Sequence, residues 1–188
     1  MTSTTAPSAP AYLQRPVRGH WPVALGLAAA TFQIVTGVAA DAVALTVVVA
    51  ASCYLGAAAF GLRWIAWANI LVGSVVATLR ELAGAPWWLG LAVFGAAIVM
   101  VGLLRRAPIR PLSAEGFAMI GFGGLAVAAV LISPRFGLAL AGVALASHAA
   151  WDYVHWRRDV VVPRSMAEFC IALDVVFGAA PITLAVIG

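Results

Sequence analysis

A chain of 188 residues that is 64% hydrophobic, 10% charged and +4 in formal charge cannot clothe a water-facing surface, since soluble domains carry about 25% charged residues. Its eleven basic side chains are all arginine, several of them in connectors between apolar runs, which excludes the basic face of a nucleic-acid binder. The lack of lysine also excludes a retinal Schiff base of the rhodopsin kind.

In chain order, residues 1–19 are rich in Ser, Thr, Pro and Ala and read as a disordered, cytoplasmic tail. Residues 20–188 read as a single transmembrane helical domain. Seven apolar runs fill it, at 21–40, 44–62, 64–79, 87–104, 117–132, 136–154 and 169–187. The expected fold class is therefore all-α, a polytopic transmembrane bundle of seven helices. A spanning helix takes roughly 17–25 residues. The third and fifth runs reach across only if Arg80, Glu81 and Glu115 sit at the interface and extend them. Connectors are short, which makes sequential helices antiparallel neighbours; the longest and most polar are 105–113 and 155–165.

Arginine placement sets the orientation. Arg15, Arg18, Arg63, Arg105, Arg106, Arg110, Arg157, Arg158 and Arg164 fall on one side, and only Arg80 and Arg135 lie on or near the other. The positive-inside rule makes the first side cytoplasmic, with the N-terminus in and the C-terminus out, in the cell's inner membrane. All seven tryptophans (21, 64, 67, 87, 88, 151 and 156) stand at run ends, as an aromatic belt requires. A rival reading exists for the first run: Arg15 and Arg18, the run itself and Val38-Ala39-Ala40 resemble a secretory signal. Its charged region and apolar run are long for a signal, which favours an uncleaved helix; cleavage leaves six spans in the same orientation.

Cys53 and Cys170 fall inside apolar runs and read as buried packing thiols. Gly121, Gly123 and Gly124 give the fifth helix a face for close helix approach. Pro181 deprives the carbonyl of Phe177 of its usual donor and predicts a kink. Gln33, Asn69, Ser74 and Thr78 are expected to bond between helices. Asp41 reads as a connector residue, Arg80 and Glu81 as an interfacial pair, and Ser165 with Glu168 as a capping box. No internal repeat stands out, which weakens a transporter built from inverted halves.

The densest polar set is Ser147-His148-Ala149-Ala150-Trp151-Asp152-Tyr153-Val154-His155. On a helix, His148, Asp152 and His155 share an arc of roughly 60°. Asp159 continues the stripe if the helix runs that far, and Ala141 and Ala144 lie above it. Folding the last hairpin about Val161 sets His148 level with Asp174, and Asp152 level with Cys170. His148, Asp152, His155 and Asp174 thus converge on one pocket in the cytoplasmic half of the membrane. Ionisable groups at such depth cost several kcal/mol unless paired. Two imidazoles and two carboxylates suit a divalent transition metal such as zinc, iron or manganese, with positions left for water or substrate. The same four groups also suit mutual neutralisation across the hairpin, or a proton path. Their spacing matches no zinc motif such as H-E-x-x-H.

The stretch His148-x-x-Trp151-Asp152-x-x-His155, followed by Val162-Pro163-Arg164-x-x-Ala167-Glu168-Phe169-Cys170 and Asp174, resembles a pattern in small multi-pass bacterial membrane proteins. That family carries no assigned activity, so the resemblance implies a membrane bundle and no particular reaction. Such proteins often place a second histidine directly after the pair, where Trp156 stands here. The seven-helix hydrolases of the ceramidase and progestin-receptor type share only the helix count, because their paired histidines lie in the final helix and this one has none. Three function classes stay open. One is a metal-dependent enzyme acting on a lipid-soluble substrate, with Asp152 or Asp174 as ligand or base and His148 and His155 as ligands. The others are a transporter for a small solute or protons, and a structural membrane subunit without catalysis. The bilayer is the one partner the sequence names.

The arginine asymmetry makes the orientation testable with reporter fusions. A reporter active only in the cytoplasm should work after Arg18, Arg106 or Arg158, and one active only outside it should work after Gly188. A cytoplasmic C-terminus would contradict seven crossings, because it requires an even number.

Overall fold

The computed structural model describes residues 19–187, so the tail reading for residues 1–18 lies outside the described residues. Seven helices follow: α1 (Trp21–Thr36), α2 (Ala40–Phe60), α3 (Ile65–Leu82), α4 (Trp87–Leu104), α5 (Ile109–Leu131), α6 (Pro134–Arg158) and α7 (Arg164–Ile187). No strand occurs among the described residues, and the fold is the all-α bundle expected from the apolar runs. Five helices, α2, α3, α4, α5 and α7, are long and apolar enough to cross a membrane. With 16 residues α1 is shorter, rising about 24 Å against a hydrocarbon core of about 30 Å. The 25 residues of α6 are long enough but are diluted by Arg135, His148, Asp152 and His155.

Helices overrun the apolar runs wherever the flanking sequence is polar but compatible with a helix. α5 begins at Ile109, α7 begins at Arg164, and α6 continues through Arg158, so the two long connectors shrink to 105–108 and 159–163. Backbone groups near lipid must be paired, and extending the helix pairs them within the segment. Pro108 and Pro163 mark the two starts: their carbonyls accept the N–H groups of Leu112 and Met166. Ser165 therefore lies inside the first turn of α7 and does not cap it. At the other end of the chain α1 stops early, because Gly37 turns to a φ of +127°. Asp41 consequently sits in the first turn of α2, not in a connector. There it meets the positive end of the helix dipole and accepts the indole N–H of Trp87 at 3.0 Å.

α2 is the centre of the bundle, touching α3, α4, α5, α6 and α7. Its Ala, Val, Ser and Gly side chains are buried on nearly every side, and small residues let neighbouring backbones come close in lipid. Sequential helices are neighbours from α2 onward, whereas α1 leans mainly on α7 and meets α2 through Gln33 Nε2 and Thr46 Oγ1, 3.2 Å apart. Asn69 also bonds across helices, donating to the carbonyl of Ser52 at 2.8 Å. Thr78 does not; its hydroxyl returns to the carbonyl of Ser74 in its own helix. Arg80 and Glu81 make no ion pair among the described residues, and the Arg80 stem lies along Gly90 of α4. Phe32, Leu71, Val93, Phe117, Ile120 and Phe136 all point outward. An apolar exterior on that scale suits lipid and not water.

α6 and α7 cross closely. A methyl group on Gly178 would stand 2.7 Å from the backbone nitrogen of Ala146, and one on Gly142 would stand 2.8 Å from the carbonyl oxygen of Gly178. Pro181 lies within the continuous α7, its ring packed at this same crossing. The glycine face expected to pack tightly on α5 does not, for Gly121, Gly123 and Gly124 have open space around them. Gly123 and Gly124 instead line an apolar groove of about 810 Å³ between α4 and α5. Spacing of small residues permits close approach; the position of the neighbour decides whether it happens.

This contrast sets a paired test by thermal unfolding in mild detergent. Gly178→Ala should destabilise the bundle by about 1–3 kcal/mol through overpacking, while Gly123→Ala should be neutral or stabilise by up to about 1 kcal/mol. Equal responses would mean that the α6–α7 crossing is looser than described.

Candidate functional site

The tight 159–163 connector fixes the register of the last hairpin, and with it the site. His148 and Asp152 stand one turn apart on the buried face of α6, the face that also carries Ala141 and Ala144. Asp174 meets them from α7, and all three are fully buried. His148 Nδ1 lies 2.9 Å from Asp174 Oδ2 and 3.3 Å from Asp152 Oδ1. From α2, the Tyr54 hydroxyl donates to Asp152 Oδ1 at 2.6 Å. Each member of the triad keeps one buried atom without a partner: His148 Nε2, Asp152 Oδ2 and Asp174 Oδ1. One potential ligand atom from each residue lies within 4.8 Å of the others.

His155 does not join them. Its Nε2 lies 2.9 Å from Glu115 Oε1 of α5, and its Nδ1 lies 2.9 Å from the carbonyl oxygen of Trp151. A carbonyl only accepts, so Nδ1 must carry the proton it donates there. Nε2 then shares a proton with Glu115, whose other oxygen accepts the Trp151 indole N–H at 3.0 Å. With both ring nitrogens engaged, His155 has no lone pair to offer an ion. The expected four-residue cluster therefore resolves into a His148–Asp152–Asp174 triad and a separate His155–Glu115 pair. The Tyr54 ring stands between them, its centroid 5.7 Å from that of His148 and 4.8 Å from that of His155.

Other polar residues of the hairpin take different partners from those the sequence suggested. Glu168 accepts the indole N–H of Trp156 at 3.0 Å across the hairpin, in place of a capping box with Ser165. Asp159 ends α6 in the left-handed region (φ 51°) and is exposed at the surface. Its hydrogen bond from the Arg63 guanidinium holds its carboxyl below the usual carboxylate range. Cys53 and Cys170 are free, buried thiols in the cluster that also holds Tyr54 and Met166.

Two residues of this network, Tyr54 and Glu115, are not in the ligand set read from the sequence. Glu115 is almost fully buried. Its signal is periodicity across helices. Glu115 and Phe122 lie two turns apart on α5, opposite His155 and His148, which lie two turns apart on α6. Tyr54 is the one tyrosine inside the apolar α2, and its hydroxyl could not be left without a partner there.

The His148–Asp174 contact can be measured as a coupling. His148→Ala or Asp174→Ala alone should cost about 3–5 kcal/mol in detergent if the survivor is left charged and dry. The double variant should cost less than the sum. Strict additivity would show that the two side chains do not meet.

No family model, curated protein or solved structure matches this chain, so its chemistry rests on the geometry above.

Proposed function

We propose that this is an inner-membrane protein of seven crossings whose bundle holds one divalent transition metal ion at His148, Asp152 and Asp174, in the service of a reaction on a lipid-soluble substrate. One observation carries the reading: three buried groups converge with ligand atoms within 4.8 Å of one another, and each carboxylate keeps one oxygen with no partner. Two carboxylates and a neutral imidazole bear two negative charges, which are costly in a dry interior. A divalent ion cancels them. The separations of 2.9 and 3.3 Å from His148 Nδ1 to the carboxylate oxygens match edges of a coordination shell with bonds of about 2.0–2.2 Å.

One nitrogen with carboxylate oxygens suits zinc, iron or manganese more than a soft copper site. A bound ion would supply Lewis acidity and an acidified water at the positions three protein ligands leave open. Tyr54 orients Asp152 by hydrogen bonding, as groups behind metal ligands commonly do. The arginine asymmetry supports an N-terminus in and a C-terminus out. The fit of α1 on α7 supports a retained first helix, since a methyl group on Gly26 would strike the carbonyl of Phe169.

Proton transfer is the second reading. The unbroken sequence Tyr54, Asp152, His148, Asp174 favours it, with the His155–Glu115 pair on the other side of the Tyr54 ring.

Elemental analysis of protein purified in mild detergent separates the two. The metal reading expects about one equivalent of a transition metal, with affinity falling on acidification because the imidazole must be neutral to coordinate. His148→Ala and Asp174→Ala should lose the metal, and His155→Ala should keep it. Folded wild-type protein that refuses zinc, iron and manganese would leave proton transfer, which liposome flux with Asp174→Asn then tests.

A further inference from the structure

A second cavity, of about 590 Å³, opens at the arginine-rich end of the bundle between α2, α5, α6 and the 159–163 connector. Arg63, Arg110 and Arg158 line it, and the His155–Glu115 pair forms part of its wall. Its charge is unbalanced, because Arg63 is paired with Asp159 and Glu115 is already taken by His155 and Trp151, which leaves Arg110 and Arg158 without a counter-charge. Other arginines at this end are placed over aromatic rings: Arg105 over Phe60, Arg157 over Tyr153 and Arg164 over Trp156. Arg110 and Arg158 have no ion pair among the described residues.

The wall beside them is a built one. Arg63 donates through two nitrogens to the carbonyl of Val162, at 3.0 and 2.6 Å. That grip holds Val161 at a φ of 63°, with the Val162 N–H donating to the Val160 carbonyl at 2.7 Å. A β-branched residue adopts this conformation only where its surroundings enforce it, and such strain gathers at functional sites.

We propose that this recess binds a phosphate group, carried by a small soluble phosphate ester or by an anionic phospholipid headgroup. Arg110 of α5 and Arg158 of α6 approach from different helices. Their planar donor forks suit two edges of a tetrahedral dianion. Ala57, Ala58, Pro108 and Val160 supply an apolar surface for the carbon skeleton attached to it. None of the recess residues belongs to the metal triad, so this site stands or falls apart from that reading.

The test uses the full chain in a neutral detergent. Titration calorimetry with glycerol phosphate probes the soluble source. Native mass spectrometry of protein from nanodiscs of phosphatidylcholine with or without phosphatidylglycerol probes the lipid source. Saturable binding in either arm, weakened at least tenfold in Arg110→Gln and in Arg158→Gln but unchanged in Arg157→Gln, is the expected result and identifies the source. Should the recess variants fail to fold, phenylglyoxal modification of wild-type protein replaces them, and the bound phosphate compound should shield Arg110 and Arg158. Absence of binding in both arms, equal binding by the variants, or no shielding would overturn the proposal.

Discussion

A buried ionisable group in a lipid-embedded bundle must either find a partner or give up its charge, and the C-terminal half of this fold is arranged around that requirement. His148 and Asp152 reach the interior one turn apart on α6, so α7 has to bring Asp174 to the same depth. It does so through a crossing close enough that neither Gly142 nor Gly178 has room for a methyl group. α2 has to be slender enough to admit both helices and still supply the Tyr54 hydroxyl, which explains a helix built largely of alanine and valine with one tyrosine at the site. Packing and electrostatics are thus one problem here. A looser crossing would separate His148 from Asp174, and a bulkier α2 would displace the donor that fixes Asp152.

Three of the remaining acidic residues follow the same rule with a different donor. Asp41, Glu115 and Glu168 each accept an indole N–H, from Trp87, Trp151 and Trp156. Tryptophan at the ends of membrane helices is ordinarily explained by its amphipathic ring. In this bundle three of those rings also donate to a carboxylate. Asp159, at the exposed end of α6, takes arginine as its partner.

The apolar runs made the helices legible, because a chain with so few charges has no other way to satisfy its backbone in lipid. The His148–Asp174 pairing was legible because the turn is short and both partners can be counted from it. Counting does not reach residues on helices distant in sequence, which is why Tyr54 on α2 and Glu115 on α5 escaped it. The same limit misplaced His155: its position on the helix stripe was right, but a neighbouring helix offered it a nearer carboxylate. The starts of α5 and α7 and the end of α6 were drawn too short because hydropathy falls before the helix does. The glycines of α5 were read as a packing face because composition reports small size and not what lies opposite.

Neutrality in a low-dielectric interior connects the metal and proton readings. Without an ion, two carboxylates beside one imidazole must retain protons to avoid a net negative charge. A divalent cation would take the place of those protons. Titration calorimetry with zinc or manganese in buffers of different ionisation enthalpy measures the exchange directly. A charge-neutral centre should release about two protons per ion bound, and Asp174→Asn should abolish that release. Binding without proton release, or undiminished in that variant, would contradict a charge-neutral His148–Asp152–Asp174 metal centre.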